Sequence, residues 1–363
     1  MALRDLVIHS QLVAPKQRRG ILQRPRIQAR LASALDYPLT LVQAGTGYGK
    51  TTALTGLADL TDPLFWYVVT EPDRDPLLFL VNLITAFHQP NEVFGEDALN
   101  MLEANGGRAV PAVLTPLLNA LTNGLTNDSV LVIDDYHLVH DVPEIGALVR
   151  HFINYLPPLL HVVLSSRVLP EHLDLNRWRI KGDLNTISHV DLAFTPGEVE
   201  ALFTQTLGHP LTPDQANRLA AETEGWVIAL QMVGQSLERS SNRSLQEVLA
   251  NVPDTLEGLF EYLAPEVLAH LPNELSEFMV TTSVLRRLDG PVCDALRGSS
   301  DSLSILHRLH EAGLFLDALG KDTFRYQRLF QDFLRSRLLL NPQRVTDLNR
   351  KAADYFLQTN RLE

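Results

Sequence analysis

Residues 44–52 read Ala44-Gly45-Thr46-Gly47-Tyr48-Gly49-Lys50-Thr51-Thr52. Glycine at 45, 47 and 49 allows the unusual dihedrals and close approach by which a loop turns its N–H groups onto phosphate oxygens. Lys50 follows as the charge that reaches β- and γ-phosphates, and Thr51 supplies a hydroxyl for Mg²⁺. The pattern is G-x-x-x-x-G-K-[ST] with Ala44 in its first place, where a small residue suffices. Immediately before it, Leu39-Thr40-Leu41-Val42 is an apolar run of strand type. After it, Thr51 to Leu60 reads as a helix, whose positive end would face the loop. Strand, glycine loop and helix in that order are the context the motif needs.

Outward from this loop, Phe65-Trp66-Tyr67-Val68-Val69, Val130-Leu131-Val132-Ile133 and His161-Val162-Val163-Leu164 are further apolar runs. Continuous runs of this kind suit strands buried on both faces of a parallel sheet. They alternate with helical spacing, as at Leu77 to Phe87, so the expected fold is an α/β P-loop domain with a parallel, doubly wound sheet. Asp134-Asp135 ends the third run. Asp134 is expected to hold Mg²⁺ through water, and Asp135 to orient an attacking water. Arg167 ends the next run on the same sheet edge, where ligands bind in open α/β sheets, and is expected to sense a γ-phosphate. The candidate catalytic set is therefore Asp135, Lys50 and Arg167.

Beyond Asp191 the strand-type runs cease. Thr195-Pro196-Gly197-Glu198 and Thr212-Pro213-Asp214-Gln215 both read as capped helix starts. From Pro272 three helices, the last from Asp301 to Ala312, precede two short strands around Gly320-Lys321-Asp322, which describes a winged helix. The expected organisation is an amino-terminal segment (1–23), a nucleotide-binding domain (24–191), a helical domain (192–270), a winged-helix domain (271–340) and the start of a helical linker (341–363). The chain stops within a helical pattern, so continuation into further domains is expected.

The formal net charge of −12 over 363 residues disfavours non-specific nucleic-acid binding. The helix from Asp301 to Ala312 carries one Arg against two acids, so direct DNA binding by this portion is not expected. The single cysteine, Cys293, excludes an internal disulfide and reads as a core residue. With no signal-peptide pattern and no apolar run of about 18 residues, a cytoplasmic, membrane-free location is expected.

Taken together, Arg24-Pro25-Arg26, the glycine loop, Val132-Ile133-Asp134-Asp135-Tyr136-His137-Leu138, Leu164-Ser165-Ser166-Arg167, Glu224-Gly225-Trp226 and Leu329-Phe330 with Phe333-Leu334-Arg335 resemble MalT-like, LuxR-type regulators of the STAND class of P-loop NTPases. The resemblance covers residues 24–340. It implies ATP or ADP with Mg²⁺, slow hydrolysis, a closed ADP-bound monomer, and self-association when ATP and an inducer are bound. It further implies an inducer sensor and a DNA-binding domain beyond this portion. Arg24 and Arg26 are placed near the base by the same resemblance. Two positions depart from the family pattern. Val227 stands where the family has a Pro near the adenine. Gln327, followed by Arg328, stands where the family tends to carry a His that reaches the ADP phosphates. Alternative readings are an antiviral or immune-type STAND effector and a mechanical AAA-like ATPase; a motor would turn over at about 1 s⁻¹ or faster.

Overall fold

The computed structural model describes residues 3–17, 20–88, 94–108, 110–239, 272–311 and 315–359. The helices expected over residues 240–271 lie outside the described residues. The chain divides into two compact units, Met1–Leu192 and Ala193–Glu363.

The first unit opens with helix α1 (Pro25–Ala32), which Pro25 starts at its first position. It leads into β1 (Leu39–Gln43), the glycine loop and α2 (Lys50–Leu54). Then follow β2 (Leu64–Val68), α3 (Pro76–His88), α4 (Glu96–Ala104), α5 (Leu114–Gly124), β3 (Ser129–Asp134), α6 (Pro143–Asn154), β4 (Leu160–Ser166), α7 (Leu175–Lys181), β5 (Leu184–Ser188) and α8 (His189–Leu192). The five strands form one sheet in the order β2-β3-β4-β1-β5, every pairing parallel. Every residue of β3 and β4 is buried, which is why apolar residues fill their middles, Val130–Ile133 and Val162–Leu164. Phe65 and Phe87 meet at 4.6 Å, and Phe87 and Phe152 at 5.9 Å, so α3 and α6 are pinned to the sheet by aromatic packing.

Two expectations need correction. The helix after the glycine loop does not run regularly to Leu60: α2 ends at Leu54 and the chain tightens into a 3₁₀ turn over Thr55–Asp59. Thr51, Thr52 and Thr55 are β-branched and Gly56 is a poor helix former, so little holds the α geometry. The Thr55 hydroxyl donates to the carbonyl of Thr52 at 2.8 Å within this turn. Strand β5 was not expected. It pairs with β1 in register Leu39↔Leu184 to Gln43↔Ser188 and forms one edge of the sheet.

The second unit starts with α9 (Pro196–Ala201) and α10 (Pro213–Thr223). Both carry a reciprocal capping box: Thr195 with Glu198, and Thr212 with Gln215. After α11 (Val227–Arg239) come α12 (Asn273–Thr282), α13 (Gly290–Arg297) and α14 (Ser302–Glu311). The antiparallel pair β6 (Leu316–Ala318) and β7 (Phe324–Tyr326) completes the winged helix. Helices α15 (Arg328–Leu339) and α16 (Pro342–Thr359) follow. Phe278, Leu288, Cys293, Leu306, Phe324 and Phe330 lie in its interior, so Cys293 is a core residue as read. The buried hydroxyls of Tyr326 and Thr282 satisfy each other at 2.8 Å.

Candidate functional site

The site is built at the carboxyl ends of β1, β3 and β4. Gly47 and Gly49 take φ of 77° and 76°, so the loop turns by left-handed steps that L side chains avoid. Gly49 is the residue before α2, which places the helix's first N–H groups at the loop. The backbone N–H of Ala44 donates to the carbonyl of Ser166 at 3.3 Å, so the start of the loop is stitched to the end of β4 and to Arg167 beside it.

Lys50 is 8% exposed, and its ammonium donates to the carbonyls of Ala44 at 2.7 Å and Gly45 at 3.1 Å. Burial, and then the charge of Arg167, push its pKa down to about 8, while Asp135 and Asp134 oppose that. Among the described residues no carboxylate comes within ion-pair distance of Lys50 or Arg167. Two cations held together without a direct counter-ion make a site that favours an anion.

Thr51 donates its hydroxyl to Asp134 Oδ2 at 2.7 Å, across 83 residues of sequence. Asp134 is buried, and its other oxygen accepts the N–H of Asp135 at 3.0 Å. The hydroxyl and carboxylate expected to share Mg²⁺ are thus already side by side. An oxygen donor set of this kind suits that hard cation. Asp135 takes the left-handed conformation, φ 57° and ψ 32°, which Asp tolerates better than most residues. Burial and the neighbouring Asp134 raise the pKa of Asp135, and Lys50 and Arg167 oppose the rise.

Other expected site residues have more particular places. Tyr48 is 3% exposed, with its ring edge-on to His189 at 5.8 Å, so it serves the loop through its backbone and anchors it through packing. Thr46 and Gly45 lie half-buried in the loop, and Thr52 is exposed on α2. Arg24 donates to the carbonyl of Leu192 at 2.8 Å and Arg26 to that of Asp191 at 2.6 Å, so both guanidiniums fix α1 to the segment after β5. Gln327 is in the second unit, between β7 and α15. Its N–H donates to the carbonyl of Phe315, and its amide lies 3.5 Å from Asp317 Oδ1. Arg328 pairs with Glu222 at 2.8 Å. Val227 opens α11.

Sequence reasoning gave no role to His137. The turn after Asp135 brings its ring back beside that carboxylate, with Nδ1 at 3.7 Å from Oδ1. The left-handed step at Asp135 was the signal, and only the backbone shows it.

No helix among the described residues is long and apolar enough to cross a membrane. The MalT winged helix domain matches residues 264–346. The HTH-type transcriptional regulator MalT of Cronobacter sakazakii is 29% identical over 355 residues, covering 97% of this chain and 39% of that protein. MalT of Vibrio cholerae serotype O1 is 30% identical over 356 residues, with the same two coverages. The chain therefore spans about two fifths of the length of the curated relatives it matches. Among solved structures, the Walker-type ATPase of Pyrococcus abyssi superposes with a TM-score of 0.63 at 14% identity, over 88% of this chain and 98% of that one, which is a likeness of fold. Over nearly its whole length this chain is similar to MalT regulators, with a P-loop NTPase fold followed by a match to the MalT winged helix domain.

Proposed function

We propose that the chain is the nucleotide-binding regulatory part of a MalT-like transcription regulator, a switch that holds ATP or ADP with Mg²⁺ and hydrolyses ATP slowly. The observation that carries this reading is the 2.7 Å bond between Thr51 and Asp134, with the buried Lys50 ammonium seated on the loop carbonyls beside it. Lys50 would leave those carbonyls for the β- and γ-phosphates, a charge-assisted contact roughly twice as strong as a neutral one. Thr51 and Asp134 would hold Mg²⁺, which would neutralise phosphate charge. Arg167 would meet the charge that develops on the transferred group, and Asp135 would orient the attacking water.

In the same reading the chain self-associates when ATP-bound, and an inducer acts through a sensor that lies elsewhere in the full protein. The same reading gives the winged helix no direct DNA contact, because its third helix carries one Arg against the acids around it. On α14, His307 meets Asp322 of the hairpin at 3.2 Å and His310 meets the carbonyl of Leu316 at 2.9 Å. Both histidines are thus turned onto the wing, and Arg308 is the one Arg or Lys that the helix leaves exposed.

The test separates binding from turnover. Asp135→Asn should keep ADP affinity within about twofold and slow single-turnover hydrolysis on the order of 100-fold, whereas Asp134→Asn should weaken the Mg²⁺ dependence of binding. If both variants lose ADP equally in calorimetry, the division of roles is wrong. Turnover of the parent at about 1 s⁻¹ or faster would favour a motor over a switch.

A further inference from the structure

His137 is a polar side chain beside the proposed water-orienting carboxylate that the reading above leaves without work. Its side chain is 12% exposed, and its Nδ1 is buried with no hydrogen-bond partner. A buried ring nitrogen without a partner costs free energy, which a bond to a nearby acceptor would recover. The atom facing it is Asp135 Oδ1 at 3.7 Å, less than an ångström beyond hydrogen-bond distance. An ionised carboxylate only accepts, so a bond between the two requires Nδ1 to carry the proton.

The charged groups around the ring come from three elements: Lys50 on α2, Arg167 at the end of β4, and His140 and Asp135 on its own turn. Burial, and then Arg167, Lys50 and His140, push its pKa down to about 3, so the imidazole is neutral. A cation here would pair with Asp135 and cancel its charge. A neutral N–H fixes the direction of the carboxylate and leaves the charge in place.

We propose that His137 is a positioning residue for Asp135: its neutral Nδ1–H donates to Oδ1 when nucleotide is bound and holds the carboxylate toward the attacking water. This rests on the nucleotide-switch reading. The left-handed conformation of Asp135 is what makes it possible, because that step folds residue 137 back over residue 135. Tyr136 and Val139, in the same turn, are fully buried, which ties the turn to the core.

The experiment uses the 363-residue chain and three variants: His137→Ala, His137→Asn and Asp135→Asn. Asparagine keeps a neutral N–H close to where Nδ1 stands. We expect His137→Ala to lower the single-turnover rate about tenfold while KM for ATP and calorimetric ADP affinity stay within twofold, and His137→Asn to recover most of the loss. NMR of the parent with ¹⁵N-labelled histidine, loaded with ADP and Mg²⁺, should show His137 as the neutral Nδ1–H tautomer at pH 7. The proposal is overturned by parent-like turnover in His137→Ala, by His137→Asn being as slow as His137→Ala, or by the Nε2–H tautomer. A slow Asp135→Asn beside a fast His137→Ala removes this proposal alone. A fast Asp135→Asn, or a parent that binds no Mg-ATP, removes the switch reading and this proposal with it.

Discussion

Among the described residues two carboxylates sit on non-glycine residues with positive φ, and their surroundings are opposite. Asp135, at φ 57°, stands near two cations, Lys50 and Arg167, that no carboxylate among the described residues approaches within ion-pair distance. Glu224, at φ 48°, lies in the turn between α10 and α11, and its charge is answered within the fold. One oxygen of Glu224 meets Arg325 at 3.2 Å, and the other accepts the N–H of Arg328 at 3.1 Å. Glu222 takes the Arg328 guanidinium, and Asp317 shares Arg325 from across the hairpin. Positive φ in a non-glycine residue costs of order 1–3 kcal/mol and persists only where the surroundings over-determine it. At Glu224 the over-determination is complete in the protein alone, which makes the turn structural. At Asp135 the electrostatics are left open, which is the condition for a ligand to complete them.

The largest test of this contrast is Lys50→Ala. It removes a buried cation whose partner is proposed to be phosphate, so Mg-ATP affinity should fall roughly 100- to 1000-fold, about 3–4 kcal/mol, in calorimetry. Stability without ligand should change little, because in the absence of nucleotide the ammonium rests only on two carbonyls. Unchanged ATP binding would end the claim that this region is electrostatically open toward phosphate.

Next is Gly225→Ala, in the turn that the second region closes around. Gly225 has φ 68°, and an added Cβ would come 2.5 Å from the carbonyl oxygen of Phe194 and 2.6 Å from its nitrogen. Backbone cannot give way as a side chain does, so unfolding stability should fall by about 2–3 kcal/mol in denaturant titration. A loss below half a kcal/mol would show that the turn is not held as tightly as Glu224 suggests.

Glu224→Gln sharpens the comparison at smaller scale. The amide oxygen can still accept from Arg328, but the charge opposite Arg325 is gone. Arg325 is partly exposed and keeps Asp317, so the expected loss is about 0.5 kcal/mol, shrinking in high salt. A loss that does not respond to salt would mean that the residue acts by shape alone.

The smallest effect concerns Gln327→His. Its imidazole would stand near Asp317, so its folded pKa should rise above the unfolded value of about 6.5. The added stability is then fully present below that unfolded value and is lost as pH rises through the folded pKa. At pH 5.5 it should amount to about 0.3–0.5 kcal/mol relative to the wild-type pair, and vanish at pH 8. Melting temperatures that differ by the same amount at both pH values would show that position 327 turns away from Asp317.

What could be read in advance followed burial. Strands β1 to β4 announce themselves as continuous apolar runs because both of their faces are covered. Strand β5, Leu184-Asn185-Thr186-Ile187-Ser188, is an edge strand with polar residues at three of five positions, and neither run nor alternation marks it. Its Asn185 donates toward Ser33 and Thr40, partners that exist only once the chain is folded. Helices α4, α5, α6 and α7 also went unplaced, since their apolar positions are short periodic patches between longer polar stretches. The winged helix was legible through its three helix starts and the polar turn at Gly320-Lys321-Asp322.

The amino-acid sequence by itself determined the phosphate loop, the two acids at the end of β3, the arginine at the end of β4 and the capped helix starts of the second unit. Each depends on residues close together along the chain, where backbone preference and side-chain reach act locally. Tertiary structure alone decided which of these meet. The order β2-β3-β4-β1-β5 sets Thr51 against Asp134 across 83 residues, and the pairing of Ala44 with Ser166 brings Arg167 to the loop. It also decided that Arg328 is taken up by Glu222, and that His137 faces Asp135. Those facts depend on strand register and on the desolvation of particular side chains, and neither exists until distant segments pack.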